Sequence, residues 1–183
     1  MIKNMYVFDL SYKNKISHLT NFSRKLSERG SALKICFAAS SGGHLEQLMM
    51  LYPMMKKNES FILTEKTSYQ FNSKDIKHYD VVQINRRELT FFFKLIILFV
   101  QTLIILLKEK PDVVISTGAL ATVPMCLLAK LFRKKLIFIE SFSKITSPTI
   151  TGKLLYKHAD LFLVQWEDMK KFYPNAKYGG GIY

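Results

Sequence analysis

The residues best suited to chemistry form one short run, Ser40-Ser41-Gly42-Gly43-His44. The apolar segment Leu33–Ala39 before it is typical of a buried parallel strand, and a helical pattern of apolar residues follows it. A strand, a glycine turn and a helix aim free backbone N–H groups at an anion, and glycine lets a ligand approach the backbone closely. We therefore predict a diphosphate-binding turn. The alternative is a plain strand-to-helix connection that is rich in serine and glycine for steric reasons.

Two further polar turns follow apolar segments later in the chain. The first ends the segment Pro111–Gly118, and the second follows Lys135–Ile139. In parallel sheets, ligands bind outside the carboxyl ends of the strands, where the strand order reverses. We expect all three turns to meet on one rim, which gives a predicted binding set of Ser41, Gly42, Gly43, His44, Ser116, Thr117, Gly118, Glu140, Ser141 and Lys144.

The elements that position these turns alternate between strands and helices. Further strands are predicted over 60–64, 80–84 and 160–166, and helices over 45–52, 91–107, 121–131 and 151–158. The first of these helices is expected to bend or end at Pro53. This alternation predicts an α/β fold, a Rossmann-like parallel sheet with right-handed crossovers and helices on both faces.

Composition limits the partners. The chain has 183 residues, which is enough for one full domain, and a net charge of +13, which favours anionic partners. No helix-turn-helix, zinc-finger or RNP-like pattern is visible, so we expect no nucleic acid. Cys36 and Cys126 lack metal-ligand spacing and are predicted to be buried, reduced thiols of a cytosolic protein, without a metal or other cofactor. We also see no secretory signal peptide.

The segment Phe91–Leu107 is almost continuously apolar. Three interpretations compete, namely a buried core helix, a helix lying in the plane of a membrane surface, and a transmembrane span. A span would place the next strand across the bilayer from the glycine turn, so we reject it. Apolar side chains on every face exceed what one sheet contact can bury. We therefore predict a helix that partly docks on the sheet and partly enters the membrane interface through Phe91, Phe92, Phe93, Ile96, Ile97 and Phe99.

Residues 1–33 form a basic segment with apolar residues near one helical face, at Ile16, Leu19, Phe22 and Leu26. A basic amphipathic helix on anionic lipid is one interpretation. A surface helix packed on the domain, or a poorly ordered extension, is the other. We assign residues 34–183 to the main domain.

With the three turns placed, the chain resembles a known family. The resemblance lies in Ser40–His44, Ile115–Gly118, Ile139–Ser143, Thr151–Tyr156 and Ala159–Trp166, which occur in the order that the family uses. The family is that of the membrane-anchor subunit of the two-part N-acetylglucosaminyltransferase of lipid-linked oligosaccharide synthesis. Its bacterial counterparts, described as galactosyltransferase enhancers in capsule and exopolysaccharide synthesis, look closer still.

This resemblance implies the N-terminal, acceptor-side half of a GT-B glycosyltransferase at the cytoplasmic face of the cell membrane. A catalytic glycosyltransferase subunit would supply the other half and the sugar-nucleotide pocket. The acceptor would be a polyprenyl-diphosphate-linked saccharide. The family's eukaryotic members usually begin with a spanning helix that is not seen in this sequence, so attachment would depend on Phe91–Leu107, the basic N-terminal segment, or both.

Two residues are candidates for catalysis under this hypothesis. An inverting transfer needs a base for the acceptor hydroxyl, and His44 is a candidate because histidine titrates near working pH. The alternative is that His44 caps its helix or only contacts phosphate. Glu140 is either a ligand or base in the cleft, or a structural partner of Lys144 or of a helix start. Ser116 and Thr117 either face the rim or cap the next helix.

Two other functions remain open on the sequence. The chain could be a stand-alone Rossmann-type enzyme that uses Ser40–His44 for its own nucleotide, although the run matches neither G-x-G-x-x-G nor a Walker loop. In that case Glu65 is the acidic residue placed to bind a ribose. The chain could also be a non-catalytic scaffold that brings a soluble partner to the membrane.

Overall fold

A seven-stranded parallel sheet forms the centre of the protein, in a computed structural model that describes residues 17–27, 33–67 and 75–182. The strands are β1 (Lys34–Ala39), β2 (Glu59–Glu65), β3 (Lys77–Val81), β4 (Val113–Gly118), β5 (Lys135–Ile139), β6 (Leu161–Val164) and β7 (Lys177–Tyr178). Their spatial order is β3-β2-β1-β4-β5-β6-β7. The predicted parallel α/β sheet is confirmed.

Six α-helices of the described part of the chain cover both faces of the sheet. They are α1 (Ser17–Ser27), α2 (Gly43–Met49), α3 (Tyr52–Lys56), α4 (Phe91–Glu109), α5 (Val123–Leu131) and α6 (Ile150–Leu155), with 3₁₀ turns at Leu120–Thr122 and Glu167–Lys171. One core cluster joins the sheet to α4, α5 and α6, through side chains such as Leu98, Met125 and Leu155. The opposite cluster holds Leu19 of α1 and Leu48 of α2.

The strand order reverses between β1 and β4. The chain adds β2 and β3 on one side of β1 and then returns to add β4, β5, β6 and β7 on the other. β1 and β4 are paired directly, and their register shifts by a bulge between Ala38 and Ala39, so that Ala39 lies opposite Gly118. The loops after these two strands therefore flank the point where ligands bind in such sheets.

Helix α4 is held to the amino edge of the sheet by its buried last residue, Glu109. Its carboxylate forms ion pairs with Lys34 (2.8 Å) and Lys77 (2.6 Å) and accepts a hydrogen bond from Tyr79. Burial acts to raise the pKa of Glu109, but these hydrogen bonds outweigh it and lower the pKa to about 2. Because α4 runs between β3 and β4 of one sheet, its first turn lies at the opposite, carboxyl edge.

The third strand was predicted at the wrong place. The apolar residues Val81, Val82 and Ile84 suggested a strand over 80–84, whereas β3 is Lys77–Val81. As an edge strand, β3 is anchored by Lys77 on Glu109 and by the edge-on packing of Tyr79 against Phe61. Beyond it, the N–H of Val82 donates to Gln101 Oε1 (2.9 Å) rather than to a neighbouring strand.

Several element ends also differ from expectation. The helix expected to bend or end at Pro53 stops at Met49, and α3 then begins at Tyr52, with Pro53 in its first turn, where no N–H is needed. Helix α6 ends at Leu155, and the short β7 was not predicted. α1 is helical as predicted and packs on the domain through Leu19. Residues 1–16 and 28–32 of the basic segment lie outside the described residues.

Candidate functional site

His44 and Thr117 connect the loops that follow β1 and β4. The ring Nδ1 of His44 lies 2.8 Å from the backbone oxygen of Thr117, and the Thr117 hydroxyl donates to the backbone oxygen of His44, also at 2.8 Å. A carbonyl oxygen only accepts, so Nδ1 carries the proton. The other ring nitrogen, Nε2, is then an acceptor when the ring is neutral. His44 does not cap its own helix.

The glycine turn has the backbone geometry that its sequence suggested. Gly42 has φ 80°, in the left-handed region that favours glycine, and α2 begins after it without a side-chain cap. A Cβ at Gly42 would meet nothing within 4 Å, so the space beside this turn is open. Gly118 also has a positive φ, of 107°, and a Cβ there would lie 3.5 Å from the His44 ring.

Ser116 and Thr117 are completely buried, and their hydroxyls bond within the protein. Ser116 Oγ donates to Thr122 Oγ1 (3.0 Å) and accepts from the N–H of Gly118 (3.1 Å). Their predicted use as hydroxyl donors at the rim is therefore disfavoured by the geometry. Both residues fix the backbone of the β4 loop, and Thr117 orients His44.

Glu140 is 1% exposed and saturated by hydrogen bonds. Its Oε1 accepts from the Ser141 N–H and the Thr149 hydroxyl (both 2.9 Å), and its Oε2 accepts from the Tyr173 hydroxyl (2.6 Å) and the Thr149 N–H (3.3 Å). Thr149 in turn caps α6 by accepting from the Gly152 N–H. Burial, and then the bond to Glu140, raise the pKa of Tyr173 well above its usual range.

This arrangement corrects the prediction that Glu140 is a base or ligand in the cleft. Both of its carboxylate oxygens are occupied by donors that support the start of α6. The two structural alternatives were a pair with Lys144 and support of a helix start, and the structure shows the second, through Thr149 at the start of α6. Lys144 is not its partner in the described part of the chain, and the Lys144 side chain lines a cavity instead.

Two cavities lie at the carboxyl edge, and His44 lines both of them. The larger, about 680 Å³, is lined by the three cations Arg86, Arg87 and Lys144 and by the half-buried Glu65. The smaller, about 340 Å³, is lined by Gly43, Gln47, Ser141, Phe142 and Ser143 together with His44. Of the predicted residues, His44 and Lys144 thus border the larger cavity, and Gly43, His44 and Ser141 border the smaller one.

Comparison with known proteins identifies the family. The family described as "Oligosaccharide biosynthesis protein Alg14 like" matches residues 35–182, which is most of the chain. The chain belongs to this family.

Two relatives of this Alg14-like chain are eukaryotic proteins. A protein of Schizosaccharomyces pombe named "UDP-N-acetylglucosamine transferase subunit alg14" is 40% identical over 75 residues, which is 38% of this chain and 36% of the relative. The rat protein of the same name is 37% identical over 81 residues, 41% of this chain and 38% of the relative. The aligned part thus spans under two fifths of the length of these relatives.

Solved structures share the fold of the Alg14-like chain. Acinetobacter baumannii MurG superposes with a TM-score of 0.62 at 16% identity, covering 74% of this chain and 42% of MurG. A UDP-N-acetylglucosamine 2-epimerase from Rickettsia bellii gives 0.64 at 15% identity, covering 79% of this chain and 42% of the epimerase. Such low identity shows the fold alone, and this chain corresponds to a Rossmann-like half of these larger proteins.

Helix α4 of the Alg14-like chain is the one helix of the described residues that is long and apolar enough to cross a membrane. Its mean hydropathy is 2.2, and only 22% of the apolar window is buried. Five of the six residues predicted to contact a membrane are exposed, and Phe91 is half-buried. Because both ends of α4 lead into one sheet, a crossing would break the pairing of β4 with β1.

Sequence reasoning missed residues that line the larger cavity. Arg86 and Arg87 lie outside the predicted binding set, yet two adjacent arginines between β3 and the apolar helix α4 were a usable signal. Glu65 ends β2 beside them, and its carboxylate accepts hydrogen bonds from the backbone of Ile84 and Ser41. Burial raises the pKa of Glu65 against the opposing effect of these bonds.

Cys36 and Cys126 are both buried, as predicted. Burial raises the pKa of both thiols, that of Cys126 to about 12, so both are unreactive packing residues. Within the described residues, no group of three or more His, Cys, Asp or Glu side chains is placed to hold a metal ion.

Proposed function

We propose that this chain is the acceptor-side, membrane-associating subunit of a two-component glycosyltransferase. The acceptor is a polyprenyl-diphosphate-linked saccharide, and the catalytic partner supplies the C-terminal GT-B half with its UDP-sugar pocket. In this proposal the domain comprises residues 34–183, preceded by the basic segment 1–33, and lies on the cytoplasmic face of the membrane. The names of the relatives, which are subunits of a UDP-N-acetylglucosamine transferase, support a role as one subunit of a sugar transferase.

The observation that carries the proposal is the position of the larger cavity. Arg86, Arg87 and Lys144 supply positive charge to the cavity that His44 also lines, two residues after the glycine turn at Gly42. A diphosphate carries several negative charges, which arginine binds through paired N–H groups. The first turn of α4, with the exposed rings of Phe92 and Phe93, follows the arginines at the same edge of the sheet. Cations beside an exposed apolar surface suit a ligand that joins a diphosphate to a lipid tail.

In this proposal His44 is the catalytic residue of the chain. Its proton is on Nδ1, held by the Thr117 carbonyl, so Nε2 accepts the proton of the attacking acceptor hydroxyl. The Thr117 carbonyl thus holds the imidazole in one tautomer, as a third group orients the base in other acid–base sites. Gly42 and Gly43 leave room for the diphosphate, while Ser116, Thr117 and Gly118 hold the turn that positions His44. Ser141 borders the smaller cavity, next to His44.

The cationic cavity gives the first test. Replacing Arg86 and Arg87 together by glutamine should raise KM for the lipid-linked acceptor of the reconstituted pair by about 10–100-fold, because two charge-assisted contacts are lost. KM for the UDP-sugar should stay unchanged. The matched control is Arg133→Gln, because Arg133 is an exposed arginine two residues before β5, at the opposite edge of the sheet. Equal acceptor KM in the double variant and the control would refute the diphosphate site.

Membrane attachment through α4 gives a second test. Replacing Phe92, Phe93 and Ile96 by serine should weaken partitioning onto vesicles of phosphatidylglycerol and phosphatidylethanolamine by about 100-fold or more, because each exposed side chain loses its burial in lipid. Vesicle sedimentation measures this. The control is Phe172→Ser, because Phe172 is an exposed aromatic residue that directly follows the 3₁₀ turn Glu167–Lys171. Unchanged partitioning of the triple variant would exclude α4 as the anchor.

The polymer is a finer part of the proposal. The sequence resemblance favours capsule or exopolysaccharide synthesis, whereas the relatives reported above are named for UDP-N-acetylglucosamine transfer in eukaryotes. The reconstituted pair should distinguish these. Turnover of UDP-galactose supports the bacterial polysaccharide assignment, and exclusive turnover of UDP-N-acetylglucosamine contradicts it.

Glu65 favours one other candidate function, a stand-alone nucleotide-dependent enzyme. It ends the second strand and borders the cavity next to Ser41, near the position of a ribose-binding acid in Rossmann folds. Sugar transfer by the isolated chain would favour this candidate. Transfer only with the partner favours the two-component enzyme, and full activity of an artificially tethered partner alone favours a scaffold.

A further inference from the structure

The smaller cavity differs in chemistry from the larger one. Its lining, of about 340 Å³, combines the hydroxyls of Ser141 and Ser143, the amide of Gln47 and the ring of Phe142. Among the described residues, it contains no Asp, Glu, Lys or Arg. Its volume lies in the range of small-molecule sites, roughly 300–1,000 Å³. Uncharged hydrogen-bonding groups beside an aromatic ring suit a sugar better than a phosphate.

Gln47 is one of the residues that line this cavity, and its side chain carries an unused hydrogen-bond donor. The residue is 1% exposed, its Oε1 accepts from the Phe142 N–H at 3.5 Å, and its Nε2 has no hydrogen-bond partner in the described part of the chain. A buried amide without a partner destabilises a protein. An acceptor oxygen on a bound ligand would satisfy it.

The walls of the cavity are held firmly in place. Phe142 packs against Trp166, with ring centroids 5.0 Å apart, and the Trp166 indole N–H donates to the Phe142 backbone oxygen at 2.7 Å. Ser141 and Ser143 are joined by a hydrogen bond of 3.0 Å between their hydroxyls. A wall that is already ordered reduces the entropy lost when a ligand binds.

We infer that the cavity at Gln47 is the subsite for the saccharide of the lipid-linked acceptor, and that Gln47 Nε2 donates a hydrogen bond to a hydroxyl or carbonyl oxygen of that sugar. This inference rests on the proposed function. The diphosphate occupies the larger cavity, and His44, which borders both cavities, lies within reach of a hydroxyl of the sugar. Gln47 is thus a specificity residue that contacts the sugar and not the lipid.

The test compares three soluble ligands that share one lipid diphosphate and differ only in the sugar. Isothermal titration measures binding of citronellyl diphosphate, and of the same diphosphate carrying glucose or N-acetylglucosamine, to the full chain. The wild-type protein should bind at least one sugar-bearing ligand more tightly than the bare diphosphate. Gln47→Met, which keeps the side-chain length but removes the amide, should weaken that ligand by about tenfold and leave the bare diphosphate unchanged.

The thermal midpoint provides the folding control. Gln47→Met should unfold close to the wild-type temperature, because the removal of a buried donor without a partner offsets the loss of the long hydrogen bond from the Phe142 N–H to Gln47 Oε1. The double variant of Arg86 and Arg87 should weaken all three ligands alike.

Different failures are distinguishable. Wild-type protein that binds the bare diphosphate but gains nothing from either sugar overturns the subsite while leaving the proposed function standing. So does a Gln47→Met variant that weakens all ligands equally, or one that weakens only association with the glycosyltransferase partner. If neither the bare diphosphate nor the sugar-bearing ligands bind the wild-type chain, the proposed function fails with it.

Discussion

His44→Ala is expected to lower kcat of the reconstituted pair by about 10²–10⁴-fold, the usual contribution of a positioned general base. KM for the acceptor should change little, because the arginines and the glycine turn remain. The physical reason is the tautomer, since the Thr117 carbonyl holds the proton on Nδ1 and leaves Nε2 to accept another.

The control for this prediction is His158→Ala. His158 is exposed and lies in the turn before β6, at the amino edge and therefore away from both cavities. It should leave kcat and KM unchanged. If His44→Ala raises only KM for the acceptor, His44 contacts phosphate without transferring a proton. If turnover is unchanged, the base belongs to the partner chain.

The sequence was informative where apolar pattern and turn chemistry coincide. The continuous apolar runs before Ser40 and Ser116 are strands buried on both faces, and parallel pairing then brings their carboxyl ends together. That is why the meeting of the His44 and Thr117 loops was predictable. The exposed apolar surface of α4 was predictable as well, because a helix that is apolar on every face cannot bury all of its side chains against one sheet.

The missed features depend on contacts between distant parts of the chain. Gln47 borders a cavity only because loops from several strands close around it, and no local pattern marks it. The adjacent arginines Arg86 and Arg87 are visible in the sequence, but only the fold shows that they line a cavity together with Lys144. The edge strand β3 has polar residues that ion pairs hold in place, so hydrophobic periodicity alone placed it three residues too late. The hydroxyls of Ser116 and Thr117 point into the protein, where they form hydrogen bonds with Thr122, Gly118 and the backbone of His44.

Glu140 shows the same limit most clearly. Its position after an apolar strand suggested a ligand or a structural residue, and the local sequence could not choose. Its partners come from Thr149 and from Tyr173, which is 33 residues further along the chain. The carboxylate joins β5, the start of α6 and the C-terminal region into one buried network, so we expect its loss to affect folding before chemistry.

The largest expected effect on stability comes from Gly152→Ala. A Cβ at this position would lie 2.1 Å from Glu140 Oε2, 2.5 Å from the Tyr173 hydroxyl and 2.8 Å from Thr149 Oγ1. The methyl group must displace a buried carboxylate from its hydrogen bonds, which leaves charged and polar groups unsatisfied. We expect the free energy of unfolding to fall by about 4 kcal/mol or more, and the thermal midpoint to fall by roughly 10 °C.

The adjacent variant Lys153→Ala is the control, because Lys153 is exposed on the same helix and alanine is a strong helix former. It should leave the midpoint unchanged. Glu140→Gln completes the test. The glutamine amide would present a donor to groups that themselves donate to Glu140, so the variant should be less stable. The folded protein should keep its kcat in the reconstituted pair. Full stability of Gly152→Ala would contradict the buried network. A Glu140→Gln variant of normal stability that loses kcat would show that Glu140 takes part in the reaction. A carboxylate that only supports α6 cannot change turnover without changing folding.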